Sequence, residues 1–167
     1  VYKRQVHYVI EFCYEKGIKI VLNPAPAAAV PMEIIDKVTY VTPNEHEAVL
    51  IFGDELSTED LLRKYPEKLV ITQGSRGVST CLKDGQILNV PARKAQVVDT
   101  TGAGDTLNGA FSVQIAEGKA IEDALAYANV AASLSTEKFG AQTGMPTAEE
   151  VETALKILNG ESVEKEI

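Results

Sequence analysis

Between Val97 and Asp105 the chain reads Val-Val-Asp-Thr-Thr-Gly-Ala-Gly-Asp, then enters an apolar run spaced as one helix face, Leu107, Ala110, Phe111 and Ile115. Two β-branched residues, an acidic and hydroxyl-bearing turn and three small residues thus deliver the chain from a loop into a helix. A helix mouth of this kind leaves backbone N–H groups unpaired and carries the positive end of the helix dipole, which makes it an anion site. Asp105 stands in the first turn, so a carboxylate lies beside the place an anion would take. For stability alone one negative group would serve better than two, and the juxtaposition points to chemistry. A structural alternative stays open here. Asp in a first turn is favoured by the dipole, and Gly-Ala-Gly also serves close helix packing. The stretch is not a Walker loop: no Lys follows the second Gly, and G-x-G-x-x-G spacing is absent.

Upstream, the chain alternates helical and extended patterns. Val6, Val9, Ile10, Cys13 and Tyr14 repeat at helical spacing over Tyr2–Lys16, and Gly17 ends that run. Ile18–Leu22 then reads as a buried strand, and a helix joined to a strand by a single Gly is the rhythm of a parallel α/β sheet. The Asn23–Ala29 loop leaves the strand's carboxyl end, where open α/β sheets place ligands, although its two prolines could equally stiffen a turn. A short helix over Met32–Ile35 leads to a strand at Val38–Val41, which Pro43 stops. Asn44 and Glu47 have the spacing of a capping box at the start of a helix running to Phe52. His46 lies inside that motif as an exposed bystander.

Ser57 or Thr58 starts a further helix around Leu61 and Leu62, and Lys68–Thr72 is the next strand. In the Gln73–Gly77 loop the glycines permit close backbone approach, and Thr72 and Ser75 offer hydroxyls to phosphate oxygens. A hairpin turn is compatible with the same residues, because Gly77–Leu82 and Gln86–Val90 read as strands around Asp84-Gly85. The helix that opens at Gly102–Gly104 runs to Glu117 and closes at Gly118. Ile121–Thr136 is an Ala-rich helix with Asn129 as its polar outlier, and the final helix starts at a second capping box, Thr147 with Glu150. With no repeat, low-complexity tract or linker, residues 1–167 read as a single domain.

Four segments, in order, resemble the PfkB-type carbohydrate kinases, the ribokinase family. Asp99–Thr106 is similar to the family's C-terminal signature, and Asn23-Pro24-Ala25-Pro26-Ala27 to the loop after a central strand. Thr42–Ala48 is similar to its N-x-x-E motif, and Thr72–Val78 to its nucleotide-phosphate loop. The resemblance spans about Gly17 to Leu158. It implies an α/β fold, a three-layer α/β/α sandwich with a mostly parallel central sheet, here without the N-terminal portion and lid. It implies ATP-dependent phosphorylation of a sugar hydroxyl, above all the 5-hydroxyl of ribose, with Asp105 as base and the N–H groups of Gly102, Ala103 and Gly104 as anion hole. Asn44, Glu47, Thr72, Gly74, Ser75, Gly77 and Asn129 would bind ATP, with Glu47 also organising Mg²⁺. Asp99 and Thr101 would face backbone carbonyls of Ser135, Lys138 and Gly140 around a monovalent cation, K⁺. Where family members often supply a Ser hydroxyl to that site, this chain has Gly144.

Charge and composition narrow the alternatives. A net charge of −8 argues against nucleic acid or an anionic membrane as partner, and no run approaches the length of a membrane span. Cys13 and Cys81 lack metal-type spacing and read as reduced core thiols of a cytoplasmic protein. The chain begins at Val1 without Met, and the family resemblance implies a C-terminal portion of a longer, homodimeric polypeptide. Two rivals remain: a related kinase acting on fructose, 2-keto-3-deoxygluconate or a nucleoside, and a fragment that only binds nucleotide.

Overall fold

Helix and strand alternate from the start of the computed structural model, which describes residues 2–26 and 29–160. Ala27 of the Asn23–Ala27 segment and the charged tail after Gly160 lie outside the described residues. The first half of the chain forms α1 (Tyr2–Glu15), β1 (Val21–Leu22), α2 (Met32–Lys37), β2 (Tyr40–Val41), α3 (Glu45–Phe52) and α4 (Thr58–Lys64). Then come β3 (Val70–Thr72), a 3₁₀ turn at Gly74–Arg76, β4 (Val78–Cys81), β5 (Ile87–Val90), α5 (Ala103–Ala116), α6 (Ile121–Ser135) and α7 (Ala148–Leu158). These elements gather into two compact units. The first holds the chain up to Gln73 together with Val78–Asn89; the second holds Gly74–Gly77 and the chain from Val90 onward.

In the first unit β1 and β2 pair in parallel, Val21 with Tyr40 and Leu22 with Val41. Single parallel bridges, Val41 to Leu69 and Asn44 to Thr72, carry the same direction on to the β3 segment. β4 then pairs antiparallel with β3, Val70 opposite Thr80 and Thr72 opposite Val78. The expected parallel pairing is therefore present, with an antiparallel hairpin added at β3. The extended runs are also shorter than their apolar patterns suggest, because ladder residues need a partner strand: β1 finds only the two residues of β2. Before it, Ile20 is held outside the ladder, its carbonyl accepting from Thr39 and Tyr40 and its N–H donating to the Thr39 hydroxyl at 2.9 Å.

Ile10, Ile34, Ile35, Val41, Leu61, Leu62, Leu69, Ile71 and Cys81 form one buried cluster of this unit. Of the α1 stripe only Ile10 is fully buried. Val6, Val9 and Tyr14 are exposed and Cys13 is half-buried, so Cys13 is not the core thiol its surroundings predict; Cys81 is. In the second unit α5 packs along α6 and α6 against α7. The alanines at 124, 128 and 131 are buried, as close helix approach requires, together with Leu107, Phe111, Ile115 and Leu125. No helix of the described residues is long and apolar enough to cross a membrane.

α7 starts at the expected capping box. The Thr147 hydroxyl accepts from Glu150 N–H at 3.2 Å, and Glu150 Oε2 accepts from Thr147 N–H at 2.7 Å. The Thr147 N–H, followed by the Lys138 ammonium, holds the Glu150 carboxyl below its ordinary range. A folded-state pKa below the unfolded one gives stability that is present above the unfolded value and lost as pH falls through the folded one. Acidification below about pH 4 is therefore expected to loosen α7, and Glu150→Gln to flatten that part of the decline. Thermal unfolding of both proteins across the acid range checks this; superimposable profiles would remove the box as the cause.

Candidate functional site

The residues singled out in the sequence fall into two groups, one in each unit. In the first, β2 and β3 end side by side, and the chain leaves them at Thr42–Asn44 and Gln73. Asn44 N-caps α3: its Oδ1 accepts from Glu47 N–H at 2.9 Å, while Glu47 Oε2 accepts from Asn44 N–H at 2.8 Å. Glu47 is buried, 8% exposed, so its carboxylate is fixed by this box and not free to wander. Thr72 closes β3 beside them, donating its N–H to Pro43 O at 3.0 Å. Asn44, Glu47 and Thr72 thus meet at the carboxyl ends of parallel-paired segments, the usual ligand end of an open α/β sheet. His46 is exposed.

These residues fit a Mg²⁺ held mostly by a ligand's own oxygens. One buried carboxylate matches an ion that keeps several waters and shares phosphates. Among the described residues no cluster of three or more His, Cys, Asp or Glu side chains could hold a metal by itself.

In the second unit Gly74–Arg76 forms a 3₁₀ turn closed by Gly77 N–H to Gly74 O at 3.0 Å. Gly74 and Ser75 are exposed, whereas Gly77 is buried at φ 97°. A Cβ on Gly77 would lie 2.0 Å from Val90 O and 2.7 Å from Ala92 N, so a side chain has no room there.

The Asp99–Asp105 stretch is ordered by its own carboxylate. Asp99 Oδ1 accepts from Thr101 N–H and Oδ2 from Gly140 N–H, both at 2.9 Å. The Thr101 hydroxyl and N–H, then the Gly140 N–H, hold the Asp99 carboxyl below its ordinary range. Gly102 caps α5 in the left-handed region, φ 81° and ψ 1°, as only glycine does readily. A Cβ there would sit 3.1 Å from the backbone of Ala141, a contact that sequence spacing gives no sign of.

Thr106 donates both its N–H and its hydroxyl to Gly102 O, at 2.8 and 2.9 Å, which starts the helix. Among the described residues no backbone acceptor meets the N–H of Gly102 or Gly104. Ala103 differs from expectation. Its N–H closes a turn on Thr100 O at 3.2 Å, so it is not a free member of the anion hole. Gly104 faces open space, and Asp105 is exposed one residue farther along the first turn.

Around Gly144 three carbonyls converge. A Cβ on Gly144 would lie 2.7 Å from the carbonyl oxygens of Ser135 and Gly140 and 3.4 Å from that of Lys138. Gly144 N–H already donates to Gly140 O at 2.8 Å. The carbonyls expected to face a cation are therefore gathered, with Asp99 tied to the same Gly140. Hard carbonyl and carboxylate oxygens of this kind suit an alkali or alkaline-earth ion better than a transition metal. The glycine also has a local reason, since a Ser side chain at 144 would collide with two of these carbonyls.

Asn129 is placed otherwise than expected. It is 4% exposed, and its Nδ2 donates to Val90 O at 3.2 Å and Pro91 O at 2.7 Å, which commits the amide nitrogen to the protein's own backbone. Two cavities of about 550 Å³ open on the second unit, lined by the ion pairs Arg93–Glu137 at 2.9 Å and Lys138–Glu150 at 3.0 Å. Neither includes the helix mouth or Asp105. Besides those pairs, the linings carry Lys94 in one cavity and Glu149 in the other.

Comparison with known proteins bears on the family and the fold. Residues 4–148 match the family described as pfkB family carbohydrate kinase. Over 150 residues the chain is 52% identical to the ribokinase of Bacillus subtilis, covering 90% of this chain and 50% of that one. It is 50% identical over 151 residues to the ribokinase of Lactococcus lactis, covering 90% and 49%. The structure of Arabidopsis thaliana ribokinase complexed with ribose and ATP superposes with a TM-score of 0.81 at 29% identity, over 90% of this chain and 52% of that one. The fold is thus the ribokinase fold, and the chain spans about half the length of the curated relatives it matches.

Proposed function

The chain belongs to the pfkB family of carbohydrate kinases, and from that membership we propose that the polypeptide carrying it transfers the terminal phosphoryl group of ATP to the 5-hydroxyl of D-ribose. The observation that carries the choice of sugar is the identity of about half with two bacterial ribokinases across nine-tenths of this chain. Phosphoryl transfer passes through a loose transition state, so catalysis is mainly positioning and charge stabilisation. The N–H groups of Gly102 and Gly104, at the positive end of α5, would bind the oxygens on which charge develops. Asp105 would take the proton of the attacking hydroxyl. A carboxylate is too weak a base to deprotonate an alcohol beforehand, so that transfer comes late, as the new O–P bond forms.

On the nucleotide side, the exposed Gly74–Ser75 backbone and the Thr72 and Ser75 hydroxyls would bind phosphate oxygens. Glu47, oriented by Asn44, would hold Mg²⁺ together with the phosphates, and the ion supplies neutralisation of their charge. Asp99, Thr101 and the carbonyls of Ser135, Lys138 and Gly140 would hold K⁺. That cation would brace the Thr101–Gly102 turn from which α5 departs.

Saturable one-site binding of ADP to the 167-residue chain, by calorimetry in Mg²⁺ and K⁺, is the first expected result. Ribose-dependent consumption of ATP by the longer polypeptide, in preference to fructose, 2-keto-3-deoxygluconate and nucleosides, is the second. Preference for one of those others would replace ribose and leave the kinase reading standing. The half-length match favours a further reading for the chain taken alone, nucleotide binding without turnover, which ADP binding with no ATP consumption would bear out. For the cation, turnover of the longer polypeptide is expected to rise with K⁺ and barely with Na⁺; equal rates without K⁺ would remove it.

A further inference from the structure

We infer that Asn129 is a positioning residue for the Gly74–Gly77 turn, acting through the backbone of Val90 and Pro91; the link to nucleotide rests on the reading of that turn given above. Asn129 is buried on α6 beside Leu125, Ala128, Val130 and Ala131, and a polar side chain in such a place costs stability unless its hydrogen bonds are made inside. Asn129 makes them outside its own helix. Its Nδ2 spans two consecutive carbonyls, Val90 O at 3.2 Å and Pro91 O at 2.7 Å, at the point where the chain leaves β5.

From the other side, Gly77 is pressed onto the same peptide groups. The direction of its missing Cβ points to Val90 O at 2.0 Å, Ala92 N at 2.7 Å and Pro91 C at 2.9 Å. One carbonyl, Val90 O, is therefore held between the Asn129 amide and the Gly77 backbone. Close-packed contacts have no slack, so a shift of Val90 is passed on to Gly77. Gly77 N–H in turn closes the Gly74 turn at 3.0 Å.

Beyond Pro91 the strap is irregular as far as α5. It is tied by Glu137 Oε1, which accepts from Arg93 Nη1 at 2.9 Å and Gln96 N–H at 3.3 Å. Val98 N–H and Asp99 N–H then both donate to Thr136 O, at 2.8 and 3.1 Å. Asn129 is the tie nearest the turn, and α6 is the rigid bar to which it is fastened.

The test compares the 167-residue chain with its Asn129→Ala and Asn129→Asp variants by amide hydrogen exchange without ligand, and by ADP titration with Mg²⁺. Ala removes the donor without adding charge, while Asp keeps the shape but loses the donor and brings a carboxylate against two carbonyls. A side chain that merely filled space would therefore loosen its surroundings evenly and not the Gly74–Gly77 turn in particular. The expected result is exchange at least about tenfold faster in Ser75–Gly77 and Ala92–Gln96 in both variants, with β3 and α5 unchanged. ADP binding should weaken about tenfold in parallel. Parent-like exchange in 75–77, or loss of protection spread evenly over β3 and α5, overturns the positioning role. Faster local exchange with no ADP binding by the parent chain overturns the nucleotide reading alone. Should both variants fail to fold, the side-chain amide protons of Asn129 in the parent, seen by nuclear magnetic resonance, decide. Slow exchange with water supports the tie, and exchange at the rate of a free amide overturns it.

Discussion

Asp105→Asn is expected to lower turnover of the longer polypeptide by at least about a hundredfold, the ordinary contribution of a positioned general base. Nucleotide binding should survive. Asn keeps the size and polarity of the side chain, and its exposed position in the first turn of α5 makes no packing demand that an amide fails to meet. What the amide cannot do is accept the proton of an attacking alcohol. The sign of the binding change is informative as well. A carboxylate next to an anion-binding helix mouth repels phosphate, so ADP should bind the variant as tightly as the parent or more tightly. Lost turnover with weakened ADP binding would mean that Asp105 orders the Gly102–Gly104 mouth. Unchanged turnover would remove it from the reaction.

Gly77→Ala has the largest expected effect on stability. At φ 97° any side chain is strained, and its first carbon would lie 2.0 Å from Val90 O, a backbone atom that cannot rotate aside. Strain and displacement together should cost about 3 kcal/mol. For a chain of this size that corresponds to a fall in melting temperature of roughly 6–12 °C. Gly104→Ala is the control within the same experiment. Nothing lies within 4 Å of its Cβ position, and Ala favours a helix, so its melting temperature should hold or rise. If Gly77→Ala melted like the parent, the close approach to Val90 would not be a feature of the folded protein.

The two capping boxes were legible in the sequence because their partners lie three residues apart, and Asn44–Glu47 and Thr147–Glu150 form as their spacing predicts. α5 and α6 were equally readable, their bounds set by Gly102, Gly118 and the alanine spacing. Strand lengths were not. Ile18–Leu22 has the composition of a five-residue strand, yet only Val21 and Leu22 find a ladder, because pairing depends on a neighbour distant in sequence. The small residues at 102–104 and the apolar spacing after them placed Gly102 and Asp105 at the start of α5. They did not reveal that Ala103 N–H turns back to Thr100, a matter of local backbone angles. Nor could they show that Asn129 reaches Val90 and Pro91, 39 and 38 residues away. The collision of any side chain at 144 with the carbonyls of Ser135 and Gly140 is likewise a product of how one loop closes, and no spacing rule encodes it.

The order in which the chain visits its two units has a consequence for inheritance. It leaves the first unit after Gln73, returns at Val78 and leaves again after Asn89. Gly74–Gly77 is thus a short length of the second unit bounded on both sides by strands of the first. No single crossover between genes can exchange one unit for a foreign one whole. A break before Gly74 separates β3 from its antiparallel partner β4, and a break after Asn89 leaves the Gly74–Gly77 turn with the wrong parent. Members of this family can drift residue by residue along such a chain, but a unit interleaved in this way cannot be shuffled through it as a module.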